Sequence, residues 1–133
     1  MAKTKHINIS DSLEDYLEAI FFLIQQKQAA RAKDIGRQLG VSRPSVTGAL
    51  HALADRNLVN YSPYGIITLT QQGQAIAREV YRRHEILRDF FVKILDVEYS
   101  EADSAACKME HVISDAVLKK FLNFIEKCSR PDL

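Results

Sequence analysis

Residues 31–53, RAKDIGRQLGVSRPSVTGALHAL, leave the backbone few choices. RAKDIGRQLG carries Ile35 and Leu39 inward on one helical face, and Gly40 stands where a helix can close in a left-handed residue. The chain restarts almost at once. Ser42 is suited to cap a second helix, Pro44 falls in its first turn where a missing N–H costs little, and Val46, Leu50 and Leu53 lie on one face. The spacing predicts a helix, a tight turn and a second helix.

The flanks extend that motif on both sides. Ser10 or Ser12 can cap a first helix, Asp11, Glu14 and Asp15 suit its positive end, and Leu13, Leu17, Ile20, Phe21 and Ile24 form an apolar stripe ending near Gln26 to Gln28. Downstream, NLVNYSPYGIITLT places the turn cluster Ser62-Pro63-Tyr64-Gly65 between two short β-branched runs, as a small hairpin requires. Three helices followed by a hairpin is the order of a winged helix. From Gln71 to about Leu95, Ile76, Val80, His84, Leu87, Phe91 and Ile94 recur at helical spacing, and two more helices are expected near Ser100–Ile113 and Asp115–Lys127. The expected fold is therefore mainly α: an N-terminal winged helix-turn-helix over residues 1–72, then an all-helical half over residues 73–133. The apolar content of that half exceeds what a lone pair of helices would hide, which points to a homodimer interface.

Composition excludes several alternatives. With 133 residues and 47% apolar side chains the chain can bury a real core, as one compact unit or two small ones. Eighteen basic against 17 acidic residues give a net charge of +1, so any nucleic-acid binding must come from a local patch. No apolar run reaches the roughly 18 residues needed to span a bilayer, and MAKTKHINISDS has no apolar signal core, so a cytoplasmic protein with no membrane partner is expected. Cys107 and Cys128 make no disulfide framework; Cys107, beside Glu110 and His111, reads as a ligand or nucleophile, whereas Cys128 has no such company.

In a helix-turn-helix the second helix enters the major groove, its N-terminal residues meeting base edges while nearby basic groups hold phosphates. Ser42, Arg43, Pro44, Ser45, Thr47 and Gly48 fit that surface, and Arg31, Lys33 and Arg37 on the preceding helix add backbone contacts. The competing reading is a winged-helix scaffold for protein contacts, since a fold does not dictate a function. Tyr61 and Tyr64 fit either wing contacts to DNA or ordinary hairpin packing.

CKMEH, residues 107–111, gathers a thiol, a carboxylate and an imidazole. On a helix, Cys107, Glu110 and His111 stand at i, i+3 and i+4 and emerge from one face. Asp15 and Glu18 repeat the i, i+3 logic on the first helix, and His84 interrupts the long helix's apolar stripe. Each has an ordinary reading taken singly: dipole complements, a satisfied core histidine, a small packed thiol. Together they offer oxygen, nitrogen and sulfur donors on three helices, and the carboxylate-rich mixture suits Mn(II) or Fe(II) better than a structural zinc.

The order of elements, with SLEDYLEAIFFL, VSRPSVTGALHAL, YRRHEILRDFF and CKMEHVIS, resembles the DtxR/MntR family of metal-activated transcriptional repressors over nearly the whole chain. The resemblance implies an N-terminal winged helix that binds a double-stranded DNA operator, a helical dimerisation domain and a regulatory metal site between them. It puts Asp15, Glu18, His84, Cys107, Glu110 and His111 at the ligand positions. The longer, iron-responsive members carry a third, SH3-like domain that has no counterpart before Leu133, so in size the chain is similar to the manganese-responsive branch. Asp15 also agrees with that branch, where the iron type has Met; Cys107 agrees with the iron type, where manganese members have a carboxylate. Arg88 and Asp103 stand where the iron type's ancillary site has a Glu and a His. The expected cofactor is Mn(II) or Fe(II), with manganese favoured. An ion holding helix one to the dimer domain would fix the spacing of two recognition helices, and so regulate transcription. A metal-independent regulator that senses a small molecule in the helical half is the rival reading. A metallohydrolase ranks lower, because the chain lacks a glycine-rich phosphate loop, and no enzyme is expected.

Overall fold

The computed structural model describes residues 9–27, 29–62 and 65–128; Pro63 and Tyr64 of the expected hairpin turn lie outside them. The chain divides into two compact units, Met1–Arg78 and Glu79–Leu133, with the division inside the long fourth helix.

The first unit runs α1 (Asp11–Lys27), α2 (Ala32–Leu39), α3 (Arg43–Asp55), β1 (Val59–Asn60), β2 (Thr68–Leu69) and the start of α4 (Gln71–Asp89). Of the two candidate caps for α1, Ser10 is the one used: its Oγ accepts from the Leu13 N–H at 3.1 Å. Gly40 closes α2 at φ 69°, and Ser42 caps α3 by accepting from the Ser45 N–H at 3.3 Å. Leu17, Ile20, Ile35, Val46, Leu50, Leu53, Leu58 and Ile67 are fully buried, so every element up to the hairpin contributes to this core. At about 1.5–3 kcal/mol for each large side chain fully removed from water, these residues set the stability of the unit.

The hairpin is short. Val59 pairs with Leu69 and Asn60 with Thr68, antiparallel, and Ile67 donates its N–H to the Ala30 carbonyl at 2.8 Å, which ties the wing to the α1–α2 connection. Thr70 then caps α4: its hydroxyl accepts from the Gly73 N–H at 3.0 Å and donates to the Asn57 carbonyl at 2.9 Å. A Cβ at Gly73 would come within 1.9 Å of the Leu58 carbonyl oxygen, so only glycine fits where the first turn of α4 passes the wing.

The second unit holds the rest of α4, α5 (Tyr99–Met109) and α6 (Asp115–Cys128). Ile86, Leu87, Ala106 and Leu118 form its buried centre, with Phe91, Met109, Ile113, Phe121, Leu122 and Ile125 packed around them. Two expectations are corrected here. The long helix does not run as α-helix to Leu95: Phe90–Ile94 is a π-helical turn, in which the Leu95 N–H reaches the Phe90 carbonyl at 3.3 Å. The wider turn sets the Phe90 ring 4.5 Å from that of Phe121 and 6.3 Å from that of Phe124 on α6. The fifth helix also ends early, at Met109 rather than Ile113, so Glu110 is its C-cap and His111 lies in the following turn. Ser114 caps α6, accepting from the Val117 N–H at 3.2 Å. Among the described residues, no helix is long and apolar enough to cross a membrane.

Candidate metal centre

Three of the expected ligands meet in the second unit. His84 interrupts the buried stripe of α4 because its ring is spoken for: Nδ1 lies 2.8 Å from Oε1 of Glu110 and Nε2 lies 2.7 Å from Oδ1 of Asp103. The other oxygen of Glu110, Oε2, is 3.5 Å from Nε2 of His111. A carboxylate only 1% exposed is thus bracketed by two imidazoles. A buried carboxylate is costly without a compensating positive charge or strong donors, and two borderline nitrogens beside two oxygens form a chelating donor set for a first-row divalent cation. The residues present fit such an ion.

The backbone that carries Glu110 and His111 is held by Arg83, the neighbour of His84. Its Nε donates to the Glu110 carbonyl at 3.0 Å, one terminal nitrogen to Oδ1 of Asp115 at 2.6 Å, and the other to the Ile113 carbonyl. These carbonyls belong to the end of α5 and the turn beyond it, where helical partners have run out. One helix therefore presents a ring nitrogen with His84 and secures the opposing turn with Arg83.

Cys107 is half-buried on α5, three residues before Glu110, and among the described residues neither it nor Cys128 is in a disulfide. Asp15 and Glu18 are half-buried on α1 of the first unit. Asp103 and Arg83 were not anticipated as partners. Asp103 carried a readable signal, since it stands four residues before Cys107 and so extends the face of α5 by one turn; Arg83 carried none. Arg88 turns instead to Asp89, 3.2 Å away, and to the face of the Tyr99 ring.

On the first unit, Arg31, Lys33, Arg37, Ser42, Arg43, Pro44, Ser45 and Gly48 are exposed and Thr47 is half-buried, giving a polar surface at the start of α3 flanked by cations of α2. Arg37 is paired with Asp34 at 3.7 Å. The Tyr61 ring meets His51 edge-on at 5.3 Å between centroids, which assigns it a packing role against α3.

Residues 8–67 match the family described as iron dependent repressor, N-terminal DNA binding domain, and residues 70–132 match iron dependent repressor, metal binding and dimerisation domain. The chain belongs to this family. It is the DtxR/MntR family of metal-dependent transcriptional regulators, and its members are repressors rather than enzymes. The chain is 33% identical to an uncharacterised HTH-type transcriptional regulator of Methanocaldococcus jannaschii, over 90% of this chain and 96% of that one. It is 36% identical to the transcriptional regulator MntR of Escherichia coli, over 86% of this chain and 74% of that one. The solved structure of the manganese regulator SloR superposes with a TM-score of 0.76 at 28% identity, over 86% of this chain and 53% of that one. That of a manganese-dependent transcriptional repressor in complex with manganese gives 0.76 at 27%, over 86% and 52%. The chain thus spans about half the length of these solved relatives. The metal-independent reading loses its ground, since the match over residues 70–132 is to a domain described by its metal.

Proposed function

We propose that this protein is a cytoplasmic homodimer that binds a double-stranded DNA operator when loaded with Mn(II) or Fe(II), and represses genes of metal uptake. The observation that carries the reading is Glu110, a buried carboxylate between His84 and His111, in a segment that matches a metal-binding domain. The proposed ligands are His84, Glu110 and His111, with Cys107 one turn away on α5 and Asp15 and Glu18 contributed by α1. When bound, the ion supplies positive charge and acceptor orbitals to these donors. Three carboxylates favour a hard ion and the thiol a softer one; the manganese named for two of the solved relatives supports Mn(II).

The chain's own residues then account for regulation. Ligands drawn from α1 and from the second unit restrict, once filled, the orientations open to the DNA-binding unit. In a dimer that restriction sets the distance between two copies of α3, and operator half-sites recur at about 34 Å per helical turn. Ser42, Arg43, Pro44, Ser45 and Thr47 meet the groove, and Arg31, Lys33 and Arg37 hold phosphates.

The test is anaerobic titration of chelator-stripped protein with Mn(II), following the free-ion EPR signal, with Fe(II) as competitor and a gel shift on operator DNA. Saturable uptake and metal-stimulated DNA binding are expected in the wild type and should be lost together in Glu110→Ala. Arg43→Ala should take up metal normally and lose DNA affinity. Stimulation that survives in Glu110→Ala would remove this site from the mechanism.

A further inference from the structure

Asp103 has no place in the donor set, yet its carboxylate lies against the His84 ring. Its Oδ1 lies 2.7 Å from Nε2, on the side of the ring opposite Glu110. The two carboxylates have unlike surroundings: Glu110 is fully enclosed, whereas the Asp103 side chain is 47% exposed. A ligating imidazole needs a lone pair on the nitrogen that faces the ion and a hydrogen on the other, and the group that accepts this second hydrogen fixes both the tautomer and the ring plane. Asp103 sits where that acceptor belongs.

We propose that Asp103 is a positioning residue of the metal centre: it accepts the Nε2–H of His84 and so commits Nδ1, the nitrogen turned to Glu110, to the ion. This rests on the metal reading above and adds a residue to it. It also explains why α5 bears chemistry one turn ahead of Cys107. The face that holds Cys107 and Glu110 begins with Asp103, so a single helix supplies donors to the ion and the brace for the ligand that α4 provides. The charge of Asp103 further strengthens the imidazole as a donor, because a carboxylate sharing the far hydrogen raises electron density on the near nitrogen.

The experiment compares wild type, Asp103→Asn, Asp103→Ala and His84→Ala as full-length protein, with Mn(II) affinity from EPR and Zn(II) as a diamagnetic probe for imidazole nitrogen NMR. Asp103→Ala should lower Mn(II) affinity on the order of 10–100-fold with unchanged stoichiometry. Asp103→Asn, whose amide oxygen still accepts a hydrogen, should recover part of that loss. The half-exposed position predicts that metal-free Asp103→Ala melts like the wild type. In Zn(II)-loaded wild type, His84 should carry its hydrogen on Nε2 and the ion on Nδ1. Wild-type affinity in Asp103→Ala, or a loaded ring with its hydrogen on Nδ1, would overturn the assignment while leaving the metal centre standing. No metal uptake by the wild type would remove the centre and this role together.

Discussion

Replacing Arg83 with methionine keeps an aliphatic stem of similar reach and removes the three arms that hold the turn after α5. A hydrogen bond from a charged donor contributes about 1.5–3 kcal/mol where water is excluded. The Glu110 and Ile113 carbonyls lie at a helix end that water can enter once the guanidinium is gone, so about 1 kcal/mol each is the expected loss. The third arm meets Asp115, whose side chain is 73% exposed, and such a pair contributes only about 0.5 kcal/mol. The sum is about 2.5 kcal/mol, or roughly 5–10 °C in melting temperature for a chain of this size. Loosening the turn also displaces Glu110 and His111, so Mn(II) affinity should fall on the order of tenfold, as when a ligand loses its support. Lysine at 83 is a point charge that can serve one acceptor at a time and should be intermediate in both assays. Thermal melts of the metal-free protein and EPR titration read the two effects. A methionine variant that melts within about a degree of wild type, or a lysine variant indistinguishable from it, would refute the reasoning from the forked geometry.

An added Cβ at Gly48 meets nothing within 4 Å on the exposed side of α3. Gly48→Ala should therefore stabilise the helix by about 0.5–1 kcal/mol in a thermal melt, while a gel shift should show weaker operator binding, because that face is the one proposed to enter the groove; loss of stability would show that the glycine is required by the fold. Glu98 caps α5, accepting from the Ser100 hydroxyl at 2.6 Å and the Glu101 N–H at 3.3 Å, and these donors, the hydroxyl first, hold its carboxyl below the usual carboxylate range. Its folded value lies below its unfolded one, so its contribution is fully present above the unfolded value and is lost as pH falls through the folded one. The difference in melting temperature between wild type and Glu98→Gln should accordingly be largest near neutrality and close in acid; a difference constant with pH would contradict it.

How much of this was readable depended on the range of the interactions responsible. The α2–α3 motif is written in local chemistry, with Gly40 at positive φ and Ser42 bonded to a residue three positions on, so sequence alone located it. Glu110, His111 and His84 were legible as a set because helical spacing and polar interruptions show in one dimension. The end of α5 was not legible, since no glycine or proline stands between Met109 and Ile113; the stop is imposed by Arg83 from α4 and by the Ser114 cap. The π turn was hidden for a similar reason, as the residues of Phe90–Ile94 suit an ordinary helix and the aromatic packing on α6 is a long-range effect. The place of Asp103 on the α5 face was readable, but its pairing with His84 needed the third dimension, because that partner lies 19 residues earlier on another helix.

The π turn also makes the chain count its residues. Ordinary winding advances about 100° per residue. A π turn holds one residue more than the α-helical turn it replaces, so deleting one residue within Phe90–Ile94 would close the segment into regular helix and move each remaining side chain of the stretch to a neighbouring position in the count. The aromatic contacts of Phe90 with Phe121 and Phe124 would be lost with it. Exchanging one apolar residue for another in the same stretch leaves the tally intact. This part of the molecule is accordingly tolerant of spelling and intolerant of length: a library of single substitutions there should yield many folded variants, and a library of single-residue deletions almost none.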